Sequence, residues 1–348
     1  VNDLVSILIP AFNAEKWIGA TIESALRQTW HAKEVIVVDD GSTDGTLSIA
    51  RRYVAEGVVV DRHSNQGAAS TRNRVFALSR GNYIQWLDAD DILAPDKIEK
   101  QMAVLRAVED RSAVCTCTWG HFYFRTGKAR LKPSALWATQ TPMAFMLARL
   151  QNCLFMPNMC WLASRELTSR IGPWNTSLTA DDDGEFFTRL VLASSSVCFV
   201  PEAKAYYRIS GRGSLSHIAG SERKLRSQFL SMELQIQHTL KASDSAETRA
   251  ACLQCVQDFL PAVYPENDDL VRRAQALARE LGGELRLAGA PQKYQWIERL
   301  CGVSTAKRVQ SFWTGIRTTA ESAWDARSFR LESRRLKQDS LVHDKIKA

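Results

Sequence analysis

Glu34-Val35-Ile36-Val37-Val38-Asp39-Asp40-Gly41-Ser42-Thr43-Asp44-Gly45 joins an unbroken apolar run to a dense cluster of turn and capping residues. A short β-branched run bounded by glycine and aspartate reads as a buried strand, and the glycines and capping side chains after it lead into a helix. The same alternation extends in both directions. Upstream, Val5-Ser6-Ile7-Leu8-Ile9 is a buried strand ended by Pro10; Asn13 is expected to cap a helix with Glu15 in its first turn and Ile18, Ile22 and Leu26 along one face. Downstream come a third strand at Val58-Val59-Val60, a helix from Gln66-Gly67 through Leu78 that Gly81 stops, and a fourth strand, Tyr83-Ile84-Gln85-Trp86-Leu87. That strand delivers Asp88-Ala89-Asp90-Asp91, and Pro95 suits the first position of another helix. Strands and helices alternating over short connections imply right-handed crossovers and a mostly parallel sheet flanked by helices, which binds ligands at the carboxyl ends of its strands. Every polar cluster named here falls at such an end.

The remainder is organised differently. Residues 111–161 are less periodic, with strand-like pieces at Ala113–Trp119 and His121–Arg125 and a helical piece at Met143–Leu150. After Ser221 the texture becomes helical, with Leu225, Phe229, Met232 and Ile236 spaced by three or four. Pro261, Pro265, Gly282-Gly283 and Pro291 are expected to divide this part into four to six helices. We therefore expect an α/β domain over residues 1–220, divided into 1–101 and 102–220, followed by an α-helical C-terminal region, 221–348.

Composition excludes several classes. A chain of 348 residues that is 45% hydrophobic and 24% charged can bury a core, so it is not disordered. The best apolar run, Val191–Val200, is too short for a membrane span and is interrupted by Ser194, Ser195 and Ser196. The opening Val1-Asn2-Asp3-Leu4 has neither a basic stretch nor a signal-peptide apolar core, which gives a cytoplasmic expectation. The cysteines provide only Cys115-x-Cys117 and Cys252-x-x-Cys255 as close pairs, without zinc-tetrad spacing, so reduced buried thiols are expected. The net charge of +7 points to an anionic partner, and residues 303–348 carry ten basic against five acidic residues.

Asp88-x-Asp90 at a strand end suits a divalent cation holding a diphosphate, because Mg2+ or Mn2+ takes one or two carboxylates and completes its shell with phosphates and water. The runs 5–15, 37–46, 65–73 and 87–91, in this order, closely resemble the family 2 glycosyltransferases. The resemblance is dense to about Gln101, thins towards Ser216 and is absent beyond. It implies a GT-A fold, a nucleotide-sugar donor, Mn2+ or Mg2+, and inversion at the anomeric centre. By that resemblance Pro10, Phe12 and Asn13 line the nucleoside pocket with Glu15 close by, Gly67 lies on the donor side, and Arg72 lies near the diphosphate or nucleoside with Asn73 alongside. Asp88 faces the ribose or metal, and Asp90 is the principal metal ligand. Asp40 reads the base: an ionised carboxylate only accepts hydrogen bonds, which matches the N3–H of uracil or thymine, with a UDP-sugar the expected donor.

Ala180-Asp181-Asp182-Asp183-Gly184-Glu185-Phe186-Phe187-Thr188-Arg189-Leu190 resembles the family's catalytic-base element. The alignment puts Asp183 in the base position, with Asp182 as its rival and Asp181 as a helix cap. Neighbouring carboxylates raise one another's pKa, which makes a better base. Tyr206-Tyr207-Arg208 followed by Ser214-Leu215-Ser216-His217 is similar to a donor-covering loop, although Ser210 stands where relatives often have histidine, so His217 is the alternative ligand.

The absence of the Gln-x-x-Arg-Trp element and of spans argues against a processive synthase, and Pro10-Ala11-Phe12-Asn13 is not the Gly-rich loop of a nucleotidyltransferase. The expectation is transfer of one sugar to a glycan or lipid-linked acceptor, with no nucleic-acid partner. The alternative is a catalytically silent scaffold, discriminated by whether the carboxylates survive, and Asp88, Asp90 and Asp183 all stand. Two readings stand for the tail, where Phe312, Trp313, Ile316, Trp324, Phe329 and Leu331 alternate with arginines. One is an amphipathic helix making peripheral contact with the inner face of the membrane, and the other is a helix packed on the protein with a solvated basic face.

Overall fold

The structure, a computed structural model, describes residues 3–210, 221–263, 267–286 and 319–332, with isolated positions at 305, 309 and 313. The chain runs β1 (Val5–Ala11), α1 (Ile18–Leu26), β2 (Lys33–Asp39), α2 (Thr46–Arg51), β3 (Val59–Arg62), α3 (Ala68–Leu78), β4 (Tyr83–Trp86), β5 (Ile92–Leu93) and α4 (Lys97–Val108). It continues through β6 (Val114–Phe122), β7 (Arg130–Leu131), α5 (Pro142–Gln151), β8 (Leu162–Ser164), α6 (Arg165–Arg170), α7 (Asp182–Ala193) and β9 (Val197–Arg208) to α8 (Glu222–Ala242), α9 (Ala246–Val263) and α10 (Asp268–Glu280).

The sheet order is β3-β2-β1-β4-β8-β6-β9-β5. The first four of these are parallel, as the strand–helix alternation predicts. Beyond β4 the pairing turns antiparallel: β8 runs against β4 and β6, and β5 against β9. The α/β class holds, with parallel pairing confined to the half built from residues 5–86. Central parallel strands are covered on both faces, which is why Val5, Ile7, Leu8 and Ile9 of β1 and Ile36, Val37 and Val38 of β2 are fully buried without alternation. Register sets the site: Ala11 lies opposite Asp39 and Leu8 opposite Trp86, so the loops leaving β1, β2 and β4 emerge side by side.

Helix α1 begins at Ile18 and not at Asn13. Asn13 adopts a left-handed conformation (φ 47°), and its amide oxygen accepts from Thr43 N at 2.9 Å, so it joins two loops and caps no helix. Lys97 sits at the start of α4 beneath the sheet, its ammonium donating to Gln85 Oε1; burial pushes its pKa down to about 8. Pro261 does not break its helix, since it lies in the last turn of α9.

Gly81 does more than end a helix. A Cβ there would stand 2.5 Å from Ser6 Oγ in β1 and 2.7 Å from Leu4 O just before it. Gly81→Ala is therefore expected to cost roughly 1–3 kcal/mol through overpacking, read as a fall in the urea midpoint; an unchanged midpoint would refute the close approach.

Two compact units are present. The first joins Val1–Gly120 to Leu131–Leu285, so α8–α10 belong with the sheet, and Phe229, Ile236, Cys252 and Val256 extend its core. The second joins His121–Arg130 to Arg286–Ala348. Among the described residues no helix is long and apolar enough to cross a membrane, and their seven cysteines are free thiols.

Candidate functional site

The loops after β1 and β2 are stitched together by the residues expected to hold the nucleoside. Asn13 N donates to Ser42 Oγ (2.9 Å), and Gly45 N donates to Glu15 Oε2 (2.9 Å). Pro10 is half-buried, while Phe12 stands 49% exposed beside it, a flat apolar ring left open to a ligand. Asp40 is only 3% exposed. Its two oxygens accept from Gln66 N (2.7 Å) and Gly67 N (3.0 Å), tying β2 to the start of α3. Gly67 meets this demand at φ 90°, a conformation open to a residue without Cβ. The carboxylate is thus fixed in orientation by two backbone donors, with His63 Nε2 3.6 Å from Oδ1.

Arg72, on α3, is the hub. It is 5% exposed and forks, donating to Asp88 Oδ1 (2.9 Å) at the end of β4 and to Asp182 Oδ2 (2.6 Å) on α7. Burial opposes its charge, but Asp182, Asp88 and Asp183 more than offset that and hold its pKa above the ordinary range. Its guanidinium lies 4.6 Å over the Trp174 ring. Asn73 turns elsewhere: its amide donates to Trp174 O (3.0 Å) and accepts from Trp174 N (2.8 Å), so both ends serve the backbone of Trp174. Asn73 thereby sets the ring on which Arg72 rests. Trp174 itself is core, stacked on Phe186 at 3.9 Å and edge-on to Trp86 at 5.1 Å.

The Asp88–Asp91 turn concentrates negative charge. Besides Arg72, Asp88 receives Asn158 Nδ2 on Oδ2 at 3.0 Å. Asn158 escaped the sequence reading because Met156-Pro157-Asn158 carries no local signal and lies far along the chain. Burial and the neighbouring Asp88 push Asp90 upward, against a hydrogen bond from Ser210 and the charge of Arg208. Asp91 is buried, accepts from Arg208 N on Oδ1 (2.8 Å) and has no partner on Oδ2. Arg208, at the end of β9, donates to Asp90 O (2.6 Å) and lies 4.3 Å over Trp17; burial lowers its pKa to about 10.

No cluster of three potential metal ligands occurs among the described residues. The donor chemistry nevertheless fits a hard divalent cation: Asp88 and Asp90 are oxygen ligands, and their mutual repulsion calls for positive charge. Asp88 is already committed to Arg72 and Asn158, so Asp90 has the freer carboxylate. His217 lies outside the described residues.

Helix α7 presents the third carboxylate. Asp181 occupies its N-cap position in a left-handed conformation (φ 57°) but makes no side-chain cap; its carboxylate accepts from Gln235 Nε2 instead (2.9 Å). Asp182, 8% exposed, is held by Arg72. Asp183 differs from both. Burial, then Asp181 and Asp182, push its carboxyl up to about 7, and Arg72 opposes them without bonding to it. It borders a small cavity lined by Phe145, Met146, Phe155, Met156, Trp161 and Thr188. The helix is fixed beneath by Phe187 stacked on Trp161 at 4.8 Å. One guanidinium thus joins the strand-end aspartate of the first hundred residues to the aspartate triplet, and the group it leaves unbonded has the pKa of a base at neutral pH.

Comparisons with known proteins agree with this geometry. The family model "Glycosyl transferase family 2" matches residues 6–172. A chondroitin synthase of Escherichia coli is 42% identical over 126 residues, covering 36% of this chain and 18% of the relative. An E. coli UDP-Glc:alpha-D-GlcNAc-diphosphoundecaprenol beta-1,3-glucosyltransferase is 40% identical over 101 residues, covering 29% and 40%. The chain therefore spans less than half the length of either curated relative. Among solved structures, Staphylococcus aureus TarS 1-349 in complex with UDP-GlcNAc superposes with a TM-score of 0.57 over 80% of this chain and 88% of that one, at 18% identity, a likeness of fold. Residues 6–172 thus match glycosyl transferase family 2, and the sheet order and strand-end carboxylates of that segment agree with the match.

Proposed function

We propose that this chain transfers a single sugar, with inversion, from a nucleotide-diphosphate donor to a hydroxyl of a glycan or lipid-linked acceptor. The observation that carries this reading is the carboxyl of Asp183, poised at about 7 beside Arg72, which also holds Asp88 on the donor side. In the proposed reaction the Asp183 carboxylate takes the acceptor hydroxyl proton as that oxygen attacks the anomeric carbon and the nucleoside diphosphate departs from the opposite face. Arg72 holds Asp182 and Asp88 in place, and Asp90, with Asp88, would hold Mn2+ or Mg2+. The cation would supply charge neutralisation for the leaving diphosphate. Asp40, fixed by Gln66 and Gly67, is proposed to read the N3–H of uracil, which makes a UDP-sugar the donor. A UDP-glucose enzyme with a diphosphoundecaprenol-linked acceptor among the relatives supports both the donor and a lipid-linked acceptor.

The test is a panel of nucleotide sugars assayed for Mn2+-dependent hydrolysis and for ligand-induced thermal protection. UDP-sugars should protect, and guanosine diphosphate should protect far less, because a mismatched base leaves buried acceptors facing acceptors. Asp90→Asn and chelator should each lower turnover at least about 100-fold while circular dichroism stays native. Full turnover in chelator, or tighter binding of the guanosine nucleotide, would overturn the metal and base assignments respectively.

A further inference from the structure

Residues 319–332 form a helix whose acidic and basic side chains lie on opposite faces. Asp325 accepts from Phe124 N (2.9 Å), Arg125 N (3.3 Å) and Arg125 Nε (2.6 Å), and Glu332 accepts from Arg125 Nη1 (2.6 Å). Glu321 pairs with Arg130 at 3.2 Å, and Phe329 packs against Phe124 with ring centroids 6.0 Å apart. At about 100° per residue these four positions, 321, 325, 329 and 332, share one side of the helix. The acidic residues among them are thereby neutralised within this compact unit.

The opposite side carries Ala323, Trp324, Arg327, Arg330 and Leu331, all exposed. Trp324 is 72% and Leu331 54% exposed, one beneath the other at a spacing of seven residues. Ala323, Arg327, Arg330 and Leu331 line a shallow open groove. No acidic residue among those described pairs with Arg327 or Arg330. The face is therefore cationic along one edge and aromatic-aliphatic along the other, with its counter-charges turned away. The helix packs through its acids and Phe329 on residues 124–130 of the same unit and leaves its arginines, Trp324 and Leu331 exposed.

We propose that this outward face docks onto the surface of an anionic phospholipid bilayer, the arginines meeting headgroup phosphates while Trp324 and Leu331 enter the interface. Charge complementarity selects that occupant. A second copy of the same face would set four unpaired arginines against one another, and a nucleic acid would leave the apolar edge unused. The inference stands on the helix alone and is read by binding, so it survives or fails independently of the proposed transfer.

The test is sedimentation of the full chain with vesicles of equimolar phosphatidylcholine and phosphatidylglycerol, or of phosphatidylcholine alone, at low and high salt. The parent should bind only the anionic vesicles and release in high salt. Arg327→Glu with Arg330→Glu should lower partitioning at least about tenfold, and Trp324→Ser should lower it roughly three- to tenfold. Arg51→Glu with Arg52→Glu, the same charge change at exposed positions of the first unit, should leave partitioning within about twofold of the parent. If the double glutamate variant misfolds by circular dichroism, Arg327→Gln with Arg330→Gln should give a smaller fall in the same direction. Absence of binding at low salt, equal binding to neutral vesicles, or an equal fall in the Arg51/Arg52 control would overturn the proposal. So would equal affinity for a DNA duplex that Trp324→Ser leaves unchanged, or a dimeric mass in solution that Trp324→Ser abolishes.

Discussion

Asp183→Asn is expected to lower kcat roughly 10²- to 10⁴-fold while donor affinity, measured by calorimetry, stays near that of the parent. The parent's kcat should rise with pH through about 7, where the carboxyl deprotonates, and the residual activity of the variant should lack that limb. Asp182→Asn is the informative comparison, because Asp182 spends its carboxylate on Arg72. It should weaken the fold and lower activity less than Asp183→Asn does. An inactive Asp182→Asn beside an active Asp183→Asn would exchange their roles.

The same residue makes a stability prediction of opposite sign. Its folded pKa lies above the ordinary carboxylate value, so the favourable protonated form is fully present below about pH 4 and is lost as pH rises through about 7. At about pH 8 the parent bears a half-buried, repelled carboxylate that Asn does not, so the variant should melt higher there and the gap should close on acidification. A variant that melts lower at every pH would show that Asp183 is held by attractions.

Arg72→Leu is expected to be the most destabilising of the proposed changes, by about 3–5 kcal/mol, since removing one partner of a buried charge network strands the others. Asp88 and Asp182 would both lose their counter-ion, and Trp174 the cation above its ring. Arg72→Lys keeps the charge but cannot span two carboxylates with a planar fork, so it should recover only part of the loss. Chemical denaturation checks both; a Leu variant within about 0.5 kcal/mol of the parent would show that the network is dispensable.

How far the sequence could be read depended on the range of the interactions. The four parallel strands and the acidic turn at Asp88 were legible because each is a continuous apolar run closed by turn residues, a pattern contained in ten residues. The aspartate triplet at 181–183 was legible as chemistry but not as roles. Which of three adjacent carboxylates is paired depends on Arg72, which reaches Asp182 across 110 positions, and on Gln235, which takes Asp181. Asn73 and Trp174 illustrate the same limit, since the two bonds that tie Asn73 to the Trp174 backbone span 101 positions. Asn13 misled for a local reason. Asparagine serves equally as a helix cap and in a left-handed bend, and only the nearness of Thr43 decides between them.

Sheet order also bears on how the chain is made. Strands β1 to β4 leave the ribosome before β8 and can pair at once, but the neighbour of β4 is β8, whose Ser164 lies opposite Tyr83. Until that segment emerges, a nascent chain holds an apolar sheet with one raw edge, the kind that recruits strands from other molecules. The buried amide of Gln85 waits equally long for the carbonyl of Met159. Conditions that slow translation between these segments, or that crowd nascent chains together, should therefore reduce the soluble yield of this protein before any residue of the site has formed.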